Sequence, residues 1–104
     1  MQPLLSETRV LAALQDVLDP ELGVNVVDLG LVYGVEIEDR RVVVHLTLTS
    51  PACPLGGVLT RATAEAIEQA LPQVARVDVE LVWEPPWSPD LVSEAGREQL
   101  GWID

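Results

Sequence analysis

Few residues of this chain can do chemistry, and the most prominent is Cys53, its only cysteine. Cys53 lies in the stretch TSPACPLGG (residues 49–57), between two prolines and shortly before Gly56 and Gly57. The pattern places it after a predicted strand and before a predicted helix, where unpaired backbone N–H groups lower the pKa of a thiol. Pro54 would fix the entry into the helix, and the glycines would leave room for a ligand. The alternative is a small apolar side chain that fills a strand–helix junction.

Acidic residues form a second candidate group in DPELGVNVVDLG (residues 19–30), which is predicted to be a structured loop. Asp19, Glu21 and Asp28 could bind a metal or act as a general base. Loop carboxylates more often accept hydrogen bonds from backbone N–H groups. Both interpretations stay open for these residues.

Three large or titratable side chains complete the candidates. His45 lies on the predicted strand that leads to Cys53, on the face opposite the apolar residues, which is typical of a surface or packing histidine. The stretch WEPPW contains Trp83 and Trp87 beside prolines. Such a cluster can contact a partner or cover a site, and it can equally close the end of a sheet.

The charge balance restricts the partners. The net charge is −11, and the six basic residues are all arginines. Nucleic acids and anionic membranes are therefore not expected partners, because both are bound through clustered Lys and Arg. One histidine and one cysteine cannot supply a closed Cys/His zinc site, which takes four ligands. A metal bound through Cys53 would need carboxylates, a second subunit, a partner protein or a small thiol.

The length of 104 residues predicts one domain, residues 1–104. No apolar run approaches the roughly 18 residues that a membrane span needs, and the first residues lack the pattern of a signal peptide. A single thiol fits a reducing compartment. The expected location is therefore the cytoplasm.

Hydrophobic periodicity predicts the element order α-β-β-α-β-α. The elements are a helix from a Ser6 cap to about Leu18, strands at 31–38 and 42–48 joined by a tight turn, a helix at 55–71, a strand at 74–83 and a helix from Ser88 to Gly101. In the first strand, alternation predicts a core face formed by Leu31, Tyr33, Val35 and Ile37.

The simplest assembly is an α+β two-layer sandwich, with a three-stranded mixed sheet and the helices packed on one face. The other face carries His45 and Thr47, and we expect the C-terminal segment or another subunit to cover it. Two open sheet edges make a homodimer plausible.

Four segments together resemble the SufT-like and PaaD-like family, once catalogued as domain of unknown function fifty-nine. They occur in the family's order and spacing and span most of the chain: DPE at 19–21, VVDLGLVYGVEIE at 26–38, LTLTSPACP at 46–54 and VELVWEPPW at 79–87. Each segment is unspecific alone, but the combination is distinctive.

The resemblance implies a fold similar to the C-terminal scaffold domain of NifU-like proteins and a role in iron–sulfur protein maturation. Cys53 would be the reactive thiol that binds a cluster or an iron during transfer, in a site that is transient or shared between chains. The supporting loop positions would be Asp19, Glu21, Asp28, Thr49, Pro54, Gly56 and Gly57. Trp83 and Trp87 remain candidates for partner binding.

The resulting hypothesis is a non-enzymatic factor that carries clusters to client proteins and contacts iron–sulfur assembly or client proteins. One alternative is a module that bridges maturation proteins while Cys53 is structural. Another is a PaaD-like accessory factor for a metal-containing monooxygenase of aromatic-acid degradation. PaaD-like members usually carry further C-terminal cysteines, which this sequence lacks up to Asp104. A small thiol-dependent enzyme would find little acid–base equipment near the thiol.

Overall fold

The computed structural model describes residues 5–49 and 56–101. Its elements are α1 (Glu7–Leu14), β1 (Val32–Glu38), β2 (Arg41–Leu46), α2 (Gly56–Ala70), β3 (Arg76–Leu81), a 3₁₀ turn (Pro89–Leu91) and α3 (Glu94–Leu100). The predicted element order and the α+β class are confirmed. Among these residues no helix combines the length and the apolar character that a membrane crossing requires.

The sheet has the strand order β1-β2-β3. β1 pairs with β2 in antiparallel fashion across a hairpin, whereas β2 and β3 are parallel. A parallel pair needs a long connection, and α2 provides it. α2 packs against α1 and β3, and α1 contacts β1, so both helices cover one face of the sheet.

The core lies between these helices and the sheet. Alternate residues of β2 and its extension are buried, as the alternation predicts: Val42, Val44, Leu46 and Leu48. α2 contributes Leu59 and Ile67, and the segment 19–30 contributes Val24, Val26 and Leu29. Each fully buried side chain of this size contributes about 1.5–3 kcal/mol, so the segment before β1 is part of the core and not a loose connection.

The first helix is shorter than predicted. Its start is as expected, because the Ser6 hydroxyl accepts a hydrogen bond from the Arg9 N–H at 3.2 Å. It ends at Leu14 and not near Leu18. Backbone bonds instead pair Leu18 with Asn25, so the chain after the helix forms a narrow hairpin. Asp19 therefore shapes the tip of a hairpin and does not terminate a helix.

Tyr33 does not face the core, contrary to the prediction. Val32 pairs with Leu46, but Gly34 pairs with His45, so β1 contains one extra residue at Tyr33. Such a bulge moves a side chain to the other face of a sheet. The Tyr33 hydroxyl donates to the Pro85 carbonyl at 2.8 Å on the side away from the helices.

The predicted last helix is divided in two. The 3₁₀ turn begins at Pro89 after Ser88, and Val92 then leaves helical geometry and is buried in the core. Ser93 restarts the helix, because its hydroxyl accepts from the Gly96 N–H at 3.0 Å. Ser88 makes no side-chain cap bond to the 3₁₀ turn, so Ser93 is the serine that caps a helix in this region.

Thr63 lies on the core face of α2, and its buried hydroxyl has no hydrogen-bond partner within the described part of the chain. We expect Thr63→Val to raise the free energy of unfolding by about 1 kcal/mol, since an unpaired buried hydroxyl is costly and valine has a similar shape. Urea denaturation measures the change. The matched control is Thr60→Val, which removes a hydroxyl that donates to the Gly57 carbonyl at 3.0 Å. A Thr63→Val protein less stable than this control would contradict the prediction.

Candidate functional site

The candidate cysteine segment lies between the end of β2 at Leu46 and the start of α2 at Gly56. Residues 50–55, with Cys53 and Pro54, lie outside the described residues. The elements that deliver the segment have the predicted strand-then-helix arrangement. The chemistry assigned to Cys53 stays a prediction.

The residues that border this segment are described. Thr49 precedes residues 50–55 and is half-buried, and Gly56 and Gly57 form the first turn of α2. A Cβ placed on Gly57 would meet nothing within 4 Å. Packing within the described part of the chain therefore does not require a glycine at 57, which is consistent with open space at the entrance of α2.

Asp19 is buried, and its hydrogen bonds stay within its own turn. Its Oδ1 accepts from the N–H groups of Glu21 at 2.8 Å and Leu22 at 3.1 Å. Its carbonyl accepts from the Gly23 N–H at 2.7 Å. The carboxylate thus organises the DPE turn and leaves the Glu21 side chain at the surface. This geometry supports the structural alternative for Asp19.

Asp28 joins two distant parts of the chain. Its Oδ2 accepts from the Asn25 amide at 2.7 Å, and its Oδ1 accepts from the Ser93 hydroxyl at 2.8 Å. The Asp28 carbonyl also accepts from the Ser93 N–H at 2.7 Å. Asp28 therefore fixes the start of α3 to the 19–30 segment. Sequence reasoning missed both partners, although Ser93 before a helical pattern and the Asn25–Asp28 spacing were signals for capping.

The two candidate tryptophans have different environments. The Trp87 indole N–H donates to the Leu29 carbonyl at 2.7 Å, and its ring packs on the core. Trp83 is 39% exposed. Trp87 therefore helps to close the end of the sheet. Of these two side chains, Trp83 is the one exposed enough to contact a partner.

His45 lies on the outer face of the sheet, which is the face away from α1 and α2. Its Nε2 is 2.5 Å from a carboxylate oxygen of Glu36, and its Nδ1 is 3.5 Å from one of Glu80. Both ring nitrogens thus face carboxylates of neighbouring strands. This arrangement agrees with the expectation of a surface histidine.

An ion pair lies further along the same face. Arg41 Nε donates to Asp78 Oδ2 at 2.8 Å, and Arg76 Nε lies 3.0 Å from the same oxygen. The hydrogen bond from Arg41 lowers the pKa of Asp78, and the same bond raises the pKa of Arg41. Asp78 thus pairs with both Arg41 and Arg76 on this face.

The described residues contain no group of three or more His, Cys, Asp or Glu side chains placed to hold a metal. Asp19 and Asp28 each bind parts of their own scaffold, and His45 lies on the outer face. The structure thus does not gather these sequence candidates into one metal site.

Comparison with known proteins gives a consistent assignment. Residues 7–80 match the family model described as iron–sulfur cluster assembly protein. The chain is 41% identical over 102 residues to the Fe-S protein maturation auxiliary factor YitW of Bacillus subtilis, covering 97% of this chain and 98% of that protein. It is 40% identical over 86 residues to the Fe-S protein maturation auxiliary factor SufT of Staphylococcus aureus, covering 82% and 97%.

A solved structure shares the fold. A domain of unknown function from Bacillus anthracis superposes with a TM-score of 0.88 and 38% identity, covering 93% of this chain and 92% of that one.

Proposed function

Because this chain belongs to the family of iron–sulfur cluster assembly proteins, we propose that it is a maturation factor that helps transfer iron–sulfur clusters to client proteins through Cys53. The observation that carries the proposal is similarity over nearly the whole chain to a protein named as a maturation auxiliary factor. Its relatives are named as auxiliary factors and not as enzymes, which supports a non-enzymatic role.

The cluster is the cargo of this proposal. Irons of such clusters take thiolate ligands, commonly four to a cluster, and this chain has one cysteine. Within the described residues no side-chain group supplements it as a metal site. The remaining ligands would come from a second chain, a partner protein or a small thiol. Shared ligation holds the cluster weakly enough for release, which is what a transfer step requires.

The surrounding residues would position the thiol and not bind iron. Asp19 fixes the DPE turn, and Asp28 fixes the start of α3, each through hydrogen bonds of 2.7–3.1 Å. Thr49 and Pro54 would set the path of the segment, and Gly57 would keep its entrance open. Trp83 is the side chain that we assign to contact with an assembly or client protein, since it is exposed.

Anaerobic reconstitution with ferric iron, sulfide and a small thiol tests this proposal. Visible absorption of wild type, with a small thiol present, is expected to show a cluster chromophore that Cys53→Ser lacks. Ala52→Ser is the matched control, since it introduces the same side chain next to the cysteine and keeps the thiol. An equal chromophore in Cys53→Ser would exclude Cys53 as ligand. No chromophore in any of the three proteins would favour a bridging module in which Cys53 is structural.

A further inference from the structure

The outer face of the sheet carries an open groove that the proposed function does not use. The groove has a volume of about 660 Å³. Its apolar walls come from the start of β1 and from the chain after β3: Val32, Tyr33, Val82, Pro85 and Leu91. Glu84 and His45 also line it. Apolar walls with a few polar groups are typical of a binding groove.

A polar depression continues the groove along β2. It has a volume of about 160 Å³ and is lined by Glu36, Glu38, Arg41, Val43 and Glu80. His45 connects the two, because it lines the groove and its ring nitrogens face Glu36 and Glu80 of the depression. We call the groove and the depression together the outer strip.

The charges of the outer strip are strongly unequal. Arg41 and Arg76 share the single carboxylate of Asp78, whereas four glutamates line the strip and His45 lies between two of them. Glu38 and Glu84 have no ion pair with any described residue and are exposed. The strip therefore presents excess negative charge beside an apolar groove, and a complementary occupant carries both a cation and an apolar side chain.

From this combination we propose that the outer strip docks an extended segment of a partner protein, with a bulky apolar residue in the groove and an arginine or lysine over the carboxylates of the depression. A second copy of this chain is a poor occupant, because its net charge of −11 would repel the acidic strip.

The register of β2 sets the spacing of such a segment. His45 marks the groove end of the depression and Arg41 its far end. The strand between them spans roughly 13 Å at about 3.3 Å per residue. The carboxylates of the depression lie level with β2 residues 41 to 45, and the groove residue Val32 lies opposite Leu46. An extended occupant therefore has its basic residue within about five positions of its apolar anchor.

This docking goes beyond the proposed function, since it needs neither Cys53 nor a cluster. It supplies what a maturation factor requires in addition to a thiol, which is a surface that recognises a protein. The docking proposal and the cluster-transfer proposal can be refuted independently. If Cys53→Ser still binds the peptide, the docking proposal stands even when that variant transfers no cluster.

Selection from a displayed library of random linear peptides on the wild-type chain tests the inference. We expect enriched peptides with arginine or lysine within about five positions of a bulky apolar residue. Binding of one such synthetic peptide, followed by fluorescence anisotropy, is expected to weaken at least about tenfold in Glu38→Lys/Glu84→Lys, because like charges then meet.

The matched control reverses two exposed carboxylates on α2, on the other side of the sheet, as Glu65→Lys/Glu68→Lys. It changes the net charge equally, so we expect peptide binding within about twofold of wild type in this variant and in Cys53→Ser. Equal weakening in both double variants, or the absence of an enriched basic–apolar pattern, overturns the proposal. Dimerisation of wild type that Glu38→Lys/Glu84→Lys alters would identify a second copy as occupant and overturn it as well.

Discussion

Cys53→Ser is expected to lower the delivery of iron–sulfur clusters to an apo-client by at least about tenfold, because a serine hydroxyl does not ionise to a soft ligand for iron near neutral pH. The effect is large because the chain has no second cysteine to take over. Delivery is measured as client activity regained over time, with cluster supplied on a scaffold protein and limiting amounts of this chain.

Two controls make the result specific. Ala52→Ser keeps the thiol and is expected to deliver clusters at the wild-type rate. Binding of Cys53→Ser to scaffold and client is expected to be retained, because docking surfaces such as the outer strip and Trp83 are unchanged. Delivery by Cys53→Ser at the wild-type rate would refute transfer through Cys53. If Cys53→Ser lost both partner binding and cluster delivery, the result would instead point to a structural role for the thiol.

Gly30→Ala is expected to lower the free energy of unfolding by about 3 kcal/mol or more, the largest stability effect among these predictions. Gly30 has φ +76°, and a Cβ there would lie 2.4 Å from the Leu91 carbonyl oxygen. The left-handed conformation alone costs a non-glycine residue about 1–2 kcal/mol. The rest of the loss in unfolding free energy comes from displacing the 3₁₀ turn, because the added Cβ would overlap the backbone of Leu91.

The chain offers a control with the same backbone and without the contact. Gly23 has φ +70°, and a Cβ there would meet nothing within 4 Å. Gly23→Ala is therefore expected to cost only the conformational part, about 1–2 kcal/mol. Urea denaturation of both variants, followed by far-ultraviolet circular dichroism, gives the difference. Equal losses would show that the 3₁₀ turn yields to the added methyl group at no cost.

The position of Gly30 explains why the effect is large. Three consecutive residues hold the C-terminal part of the described chain. Asp28 binds Ser93, Leu29 accepts from the Trp87 indole, and Gly30 leaves room for Leu91. A displaced 3₁₀ turn disturbs all three connections and also one wall of the groove in the outer strip. The tryptophan emission of the chain is thus expected to change in Gly30→Ala, because the environment of Trp87 changes, and to stay unchanged in Gly23→Ala.

The sequence by itself determined the order of the elements and the inward face of β2. Alternation placed Val42, Val44, Leu46 and Leu48 in the core, where they lie. A serine cap and helical spacing located the start of α1. These features are encoded in neighbouring residues, because strand and helix periods and caps depend on contacts within a few positions. The candidate Cys53 likewise came from its place between a strand and a helix.

Only the tertiary structure decided the direction of Tyr33 and the roles of Asp19 and Asp28, for which the local sequence pattern was misleading or ambiguous. Alternation continues through Tyr33, but the bulge turns that side chain to the outer face, where Pro85 binds its hydroxyl. Asp19 and Asp28 are alike in sequence terms. One organises its own turn, and the other reaches Ser93, far along the chain. The physical reason is that a bulge, a distant hydrogen bond or a groove exists only where separate segments meet, and periodicity describes one segment at a time.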